Sequence, residues 1–415
     1  MKEISSKVKE KFEGSLLKGG RCMEKKKTLK GFCSKLKKIF LPLILLSLFL
    51  LPVNQAKASK EEMYILLNLL VEKGVITPEE SKEMMAAVDN IVKKQKEDSA
   101  KNSVKTSAAE NIKIGGYLQS RYDVYDYDKN YDGFTIKRAR ISLTGKIMDP
   151  VSFKIEFDTV KGKNNDLLTD AWVKLAYFPQ FNITVGQFKL PFSEEYLISS
   201  SALDTIERSN VVGALATEYD RGIMIDGDLL NKAVYYGLAY VNGTGANTGE
   251  DNDSKDLVGR IAFSPWVSTQ NPASGLKFGF AYQTGEQNIG ANKKDRVRHD
   301  IFLRYEYKNL KVLGEYINQE LKSTSITKSD GYFVQCAYEF PLSNGKSIQP
   351  VVKYEVYDPN TKASKDTQTI FTTGFNFFLN KNTKLSTNYR WRNDEQGGKI
   401  ATNSNEWFSQ IQIKF

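Results

Sequence analysis

The stretch Asn405-Glu-Trp-Phe-Ser-Gln-Ile-Gln-Ile-Lys-Phe415 alternates apolar and polar residues and stops on a phenylalanine. Successive side chains of a β-strand point to opposite faces, so this strand would present one apolar face and one polar face. A cylindrical sheet with lipid outside and water inside needs this period-two pattern. The stretch therefore predicts a membrane-spanning strand.

The same alternation recurs at regular intervals back to Ile112. In residues 139–147, for example, Ile141 and Leu143 alternate with Arg140 and Ser142. Charges on the second face would be costly in lipid, so we expect them to face the lumen. A closing strand that ends on an aromatic residue is typical of bacterial outer-membrane barrels. We predict an all-β fold, a transmembrane antiparallel β-barrel of about 16 strands over residues 111–415.

Connection lengths support the barrel. Tight turns, such as 148–150 and 380–382, alternate with long loops, as expected for a periplasmic and an extracellular rim. The predicted long loops are 126–133, 191–219, 242–255, 286–296, 321–329, 359–366 and 394–404. A soluble β-sandwich could also alternate, but the leader, the strand count without a domain break and the terminal Phe415 argue against it.

The leader accounts for the net charge of +10. Residues 1–58 hold 14 basic and 4 acidic residues, so the remainder is neutral and predicts no nucleic-acid partner. Three lysines precede an apolar run, residues 39–53, and Ala56-Lys57-Ala58 follows it. This order is that of a secretory signal peptide, which we expect to be cleaved. Translation could instead start at Met23. A transmembrane anchor is disfavoured because the apolar run is short for a bilayer span and contains two prolines.

Residues 59–98 read as a periplasmic helical pair, which could form a coiled coil with copies of itself or pack on the barrel mouth. Thr77-Pro78-Glu79-Glu80 has the pattern of a helix start with proline at the first position. Residues 99–110 read as a flexible linker.

Enzyme chemistry is not predicted: the mature chain has a single histidine, no metal-ligand cluster and no cofactor motif.

The longest predicted loop, 191–219, carries many apolar residues, including Phe192, Ile206 and Val211. A loop of this length is usually functional or disordered, and a disordered external loop would not need so much apolar material. We therefore expect it to fold into the lumen and narrow the pore, with a short helix at 201–209.

Several segments resemble the phosphate-selective porin O/P family. They are Val185-Gly-Gln-Phe-Lys-Leu-Pro-Phe-Ser-Glu-Glu195, Glu207-Arg-Ser209, Asp220-Arg-Gly-Ile223, Lys137-Arg-Ala-Arg-Ile141 and the opening strand Ile112–Tyr122. The resemblance covers roughly residues 111–415 and is most specific in the first third. It implies a sixteen-stranded trimeric outer-membrane channel whose third external loop folds inward. The best-known members of the family pass phosphate or polyphosphate.

Anion passage requires fixed positive charge along the lumen, and arginine suits phosphate because its planar fork donates two hydrogen bonds. The pore and constriction candidates are Arg138, Arg140, Lys154, Lys189, Arg208 and Arg221. Each could instead be an ordinary lumen charge paired with an acid. The loop itself carries five acids against Arg208, so Arg208 and Arg221 could be structural, pairing with Glu207 or Glu194 to pin it.

The sequence therefore predicts a porin in the outer membrane of a Gram-negative bacterium, surrounded by lipid, that passively passes small hydrophilic solutes. The lumen arginines and the resemblance extend this prediction to small anions including phosphate, and the resemblance implies a homotrimer. The main alternative is a plugged structural or adhesive barrel without significant conductance; a barrel hydrolase would need an essential carboxylate.

Deletion of residues 59–110 is expected to leave the barrel folded and heat-resistant, because the barrel buries its own backbone polar groups without the helices. Electrophoretic mobility of the heated and unheated variant measures this directly. Failure of the deleted chain to form a barrel would contradict the predicted independence.

Overall fold

The computed structural model describes residues 78, 79 and 81 and residues 112–415, except 127–130, 161–166, 290–291, 324–325 and 397–398. The chain divides into two units, Met1–Thr106 and Ser107–Phe415. In the first unit, Pro78, Glu79 and Ser81 are helical. The predicted leader, the linker and the rest of the helical pair lie outside the described residues. Within the described residues, no helix is long and apolar enough to cross a bilayer.

The second unit is a closed antiparallel barrel of sixteen strands, which confirms the predicted fold class. The strands are β1 Ile112–Tyr125, β2 Gly133–Met148, β3 Val151–Asp158, β4 Leu168–Phe178, β5 Phe181–Lys189, β6 Tyr219–Leu229, β7 Val234–Val241, β8 Asp256–Phe263, β9 Leu276–Ile289, β10 Asn292–Tyr307, β11 Leu310–Lys322, β12 Ile326–Tyr338, β13 Ser347–Asp358, β14 Gln368–Asn380, β15 Thr383–Gln396 and β16 Lys399–Lys414. Phe340–Pro341 continues β12 and pairs with β13. Two 3₁₀ turns, Pro272–Gly275 and Ser343–Gly345, lie in connections between strands.

Closure occurs between β1 and β16. Their register runs from Tyr117 opposite Lys414 to Tyr125 opposite Glu406. The Phe415 amide donates to the Gly116 carbonyl at 3.1 Å, and the Gly116 amide donates to the Phe415 carbonyl at 3.0 Å. The terminal aromatic residue thus completes the ladder, so that these strands have no open edge in the bilayer.

The two faces separate as the alternation predicts. On β10, Asp300 is fully buried inside the barrel, whereas the next residue, Ile301, is 57 % exposed on the outside. Aromatic side chains cluster on the outer face, where Tyr389 and Trp391 lie with ring centroids 4.5 Å apart. Such aromatic pairs suit the membrane–water interface.

Three predicted long loops are wrong. Strands β9 and β10 extend to Ile289 and from Asn292, so most of the predicted loop 286–296 is strand. The predicted loops 321–329 and 394–404 are likewise mostly strand. The sequences of these extensions lack the strict apolar alternation, but backbone pairing in a ladder does not require it.

Gly116 is a point at which closure is sterically tight. A methyl group there would lie 2.3 Å from the Arg140 carbonyl oxygen and 2.7 Å from the Phe415 ring, whereas at Gly115 the nearest atom would be 3.5 Å away. We expect Gly116→Ala to lower the free energy of unfolding by roughly 1–3 kcal/mol. Urea unfolding in lipid vesicles measures this, with Gly115→Ala as the matched control; equal stabilities would contradict the tight closure.

Candidate functional site

The connection between β5 and β6, residues 190–218, is called the inward loop because it folds into the lumen, as predicted. It contains two short helices, α1 Glu194–Leu197 and α2 Asn210–Leu215. Each begins after a serine: Ser193 Oγ accepts from the Tyr196 amide and Ser209 Oγ accepts from the Val211 amide, both at 3.2 Å. The predicted helix at 201–209 is wrong, because Ser209 caps the helix that follows it instead.

The inward loop has an apolar core inside the barrel. Phe192, Val211 and Leu215 are fully buried. They pack in one cluster with Ala239, Val258, Ala281, Leu313, Ile317 and Phe333 of β7, β8, β9, β11 and β12. We expected the lumen face of the strands to be polar. The sequence does place apolar residues at these lumen positions, and they could have indicated where the loop docks. The prediction for the loop did not use them.

The start of the inward loop is fixed by charge. Glu194 is buried and bound by three cations of neighbouring strands: Arg260 on β8, Lys277 on β9 at 3.0 Å and Arg304 on β10 at 3.0 Å. Burial alone would raise the pKa of Glu194, but Arg260 and Lys277 outweigh it and lower that pKa. The carboxylate therefore stays charged and holds α1 against this wall.

The middle of the inward loop is held by the next strands round the barrel. Asp204 Oδ1 accepts from Lys311 Nζ on β11 at 3.1 Å and from Gln349 Nε2 on β13 at 3.0 Å. The Asp204 carbonyl accepts from Asn376 on β14 at 2.7 Å, and Asn388 on β15 accepts from the Ile206 amide at 2.7 Å. Polar side chains of the wall thus satisfy two backbone groups of the loop where it crosses the lumen.

Glu207 reaches the strands that close the barrel. Its carboxylate binds Arg121 on β1 and Lys137 on β2, the latter at 2.7 Å. Burial would raise the pKa of Glu207, but Lys137 and Arg121 outweigh it and lower the pKa to about 2. The inward loop is therefore tied to both sides of the lumen.

Two of the predicted pore residues lie on the wall opposite the apolar core. Arg140 on β2 is buried and paired with Glu156 and Asp158, both at 3.1 Å. Lys154 on β3 donates to Asp170 at 2.7 Å and lies 3.1 Å from Glu156. Arg140 is thus a structural charge within the wall, whereas Lys154 keeps part of its surface in the lumen.

Lys189 and Arg208 serve the inward loop itself. Both bind Glu218, at 3.0 Å and 3.4 Å, and both donate to main-chain carbonyls of the loop, including that of Ile198. Burial would raise the pKa of Glu218, but Lys189 and Arg208 outweigh it and lower that pKa. Arg208 therefore pins the loop, but its acid partner is Glu218 rather than the expected Glu207 or Glu194.

Arg138 and Arg221 differ from the other four candidates, because within the described part of the chain neither has an ion pair. Arg138 on β2 donates to the amide oxygen of Gln119 at 2.9 Å. Arg221 on β6 lies opposite Gln187 in the register, and its main-chain amide donates to the Asp220 carboxylate. Of the six predicted residues, Lys189 and Arg208 meet at the same partner, Glu218.

Six ion pairs of the lumen have an asymmetry that the sequence does not show. In them the basic side chain is 26–35 % exposed, whereas its acidic partner is only 1–21 % exposed. The pairs are Lys137–Glu207, Lys154–Asp170, Lys174–Asp226, Lys277–Glu194, Arg304–Glu194 and Lys311–Asp204. The order is reversed in other pairs, where Glu207 is more exposed than Arg121 and Glu306 more than Arg304. At the six sites, the cation is the member that faces the water of the lumen.

A cavity of about 170 Å³ lies beside the inward loop, near the turn between β10 and β11. Arg304 and Lys311 line it together with Glu195, Asp204 and Glu306. This mixed lining is not a phosphate cradle, which would be dominated by donors. Within the described residues, no group of three acidic, histidine or cysteine side chains could hold a metal ion.

Comparison with known proteins agrees with this geometry. The model of the family described as phosphate-selective porin O and P matches residues 112–406. The chain belongs to this family. Membership assigns the protein to outer-membrane channels rather than enzymes, and its location to the outer membrane of Gram-negative bacteria.

Individual relatives are distant. An uncharacterized protein of Aquifex aeolicus is 26 % identical over 436 residues, covering 90 % of this chain and 99 % of its own. An anion-selective porin from Comamonas acidovorans superposes with a TM-score of 0.55 at 15 % identity, covering 73 % of this chain and 99 % of its own. In vitro folded OmpT of Vibrio cholerae, in its trimer form, gives 0.53 at 12 % identity, with coverage of 73 % and 99 %. At these identities the two structures show the fold alone.

The Glu207 anchor makes a pH-dependent prediction. Its folded pKa of about 2 lies below the ordinary 4.5, so the anchor is complete above about pH 4.5 and is lost as the pH falls toward 2. Glu207→Gln should weaken the anchor at every pH by roughly 1.5–3 kcal/mol, the contribution of a hydrogen bond to a charged group. We expect Glu207→Gln to show higher open-channel current noise than the wild type at neutral pH. The wild type should show this higher noise only in strong acid.

The control for this experiment is Glu250→Gln, because Glu250 pairs with Lys255 in the external loop between β7 and β8. Its noise should match that of the wild type. Equal noise for Glu207→Gln and the wild type at neutral pH would show that Glu207 does not hold the loop.

Proposed function

We propose that this porin is a passive diffusion channel that prefers small anions, including phosphate. The observation that carries the proposal is the exposure of the basic member in each of the six lumen ion pairs. Membership of the phosphate-selective family and the fold shared with an anion-selective porin support it.

The pairing explains how the lumen would attract anions without retaining them. Lys154 and Lys174 each keep about a quarter of their surface in water while an acid sits behind them. The acid reduces the net charge at each site, so that a passing anion meets a weak attraction repeated along the wall. Conduction requires this balance, because a strong single site would trap the solute.

Arg138 would provide the strongest single contact. Arg138 follows Lys137 on β2, and Lys137 forms an ion pair with Glu207. The hydrogen bond of the Arg138 guanidinium, however, goes to the neutral amide of Gln119. Its charge is therefore balanced less directly than those of Arg140 and Lys154. We assign the constriction to the gap between the inward loop and the β2–β6 wall.

The remaining parts of the proposal concern assembly. We infer a homotrimer, supported by the trimer form of the OmpT barrel with which this fold superposes. We also infer that residues 1–58 are removed on export and that residues 59–98 form a helical pair in the periplasm, followed by the linker 99–110. The sequence patterns of these segments support these inferences.

Replacement of Arg138 tests the proposal. One unit charge at contact distance in water contributes about 1 kcal/mol, so Arg138→Gln should lower the anion-to-cation permeability ratio several-fold. Reversal potentials in a salt gradient across a planar bilayer measure that ratio. Lys328→Gln is the matched control, because it removes the same charge outside the constriction, where Lys328 pairs with Glu320 at the end of a strand. This variant should leave the permeability ratio unchanged.

A cation preference in the wild type would overturn the anion proposal while leaving the channel intact. Absence of conductance from correctly folded trimers would instead favour the plugged barrel, in which the inward loop fills the lumen.

A further inference from the structure

Two carboxyl groups beneath the start of the inward loop have no role in the passage described above. They are Asp300 on β10 and Glu315 on β11, which lie on adjacent strands two positions apart in register and face the lumen. Asp300 is fully buried and Glu315 is 3 % exposed. The two carboxyl groups are close enough to interact directly.

The hydrogen bonding of this pair is incomplete. Both oxygens of Asp300 and the Oε1 atom of Glu315 are buried, and no donor among the described residues reaches them with hydrogen-bond geometry. The nearest donor is Ser193, whose main-chain amide faces Asp300 and whose hydroxyl faces Glu315. Two ionised carboxylates can only accept, so neither can satisfy the other. A proton on either group would supply the missing donor and remove the repulsion, as in carboxyl pairs that share one proton.

The surrounding charges do not replace this proton. Arg260 Nη1 is 3.9 Å from Asp300, beyond hydrogen-bond distance, and Arg260 is already bound to Glu194. The acids nearest the pair are Glu194 and Glu195, which are paired with cations of their own: Glu194 with Arg260, Lys277 and Arg304, and Glu195 with Lys353. Among the described residues, no cation lies within hydrogen-bond distance of Asp300 or Glu315.

The pair is also in direct contact with the loop. Glu315 Oε2 accepts from the Glu195 amide in the first turn of α1 at 3.0 Å. Ser193, the residue immediately before α1, has a φ of 53°, a left-handed backbone conformation that a non-glycine residue adopts only when its surroundings impose it. The start of the inward loop is therefore held in a strained conformation next to the two carboxyl groups.

We propose that Asp300 and Glu315 share one proton, and that this proton is a pH-sensitive latch for the inward loop. With the proton bound, the pair carries one negative charge and Glu315 holds α1. When hydroxide removes the proton to form water, two adjacent carboxylates repel in a buried space and the start of the loop loosens. The latch is complete at neutral pH and is lost as the pH rises.

Glu315→Gln imitates the protonated state permanently. The amide oxygen still accepts from the Glu195 amide, and the amide nitrogen donates to Asp300 at any pH. The reciprocal variant, Asp300→Asn, makes the same test if the first does not fold. Glu320→Gln is the matched control, because Glu320 lies further along β11 and pairs with Lys322 and Lys328.

The experiment follows single-channel conductance and the infrared band of protonated carboxyl groups in purified protein between about pH 6 and pH 10. We expect the wild type and Glu320→Gln to change conductance at alkaline pH and to lose a protonated-carboxyl signal over the same range. Glu315→Gln should lose both transitions. The infrared signal does not depend on conduction or on anion preference, so it stands apart from the function proposed above.

Either of two results would overturn the latch. One is a wild type without a protonated-carboxyl signal at neutral pH or without an alkaline transition. The other is a Glu315→Gln variant that shows the same alkaline transition as the wild type.

Discussion

The hydrogen-bonded closure of β1 on β16 is the constraint on which the rest of the structure depends. In lipid, an unpaired backbone group costs several kcal/mol, so a sheet can span the membrane only if it has no edge. The pairing of Gly116 with Phe415 removes that edge. Closure also creates an enclosed lumen that water can enter. The charged residues at every second strand position can be tolerated only because they face this lumen.

The inward loop solves a second problem, which is how to hold an irregular segment inside this lumen. Apolar residues around Phe192 provide the packing, while Glu194, Asp204 and Glu207 fix three successive points on the barrel wall. Breaking one partner of such a buried pair is costly because the other charge is left alone. Four of the cations that hold these acids, Lys137, Lys277, Arg304 and Lys311, stay partly exposed, whereas Arg121 and Arg260 are buried. Anchoring and lumen polarity therefore share part of their origin.

The sequence was sufficient for the barrel, its strand number and the inward folding of the loop. The alternation around Ile141 and the apolar content around Val211 carry those predictions, because they reflect burial against lipid or protein. The helix positions and ion-pair partners could not be predicted. Arg208 pairs with Glu218, and Glu207 pairs with Lys137, because of distances between strands far apart in sequence. The sequence likewise does not show which member of an ion pair is more exposed, because that depends on which side chain lies nearer the barrel wall.

Anomalous diffraction from crystals soaked in bromide or in rubidium tests the central claim most directly, since it locates mobile ions along the lumen wall. The account predicts bromide beside Lys137, Lys154 and Lys174, the exposed cations opposite the inward loop. Rubidium at those positions, with bromide excluded from them, would contradict it.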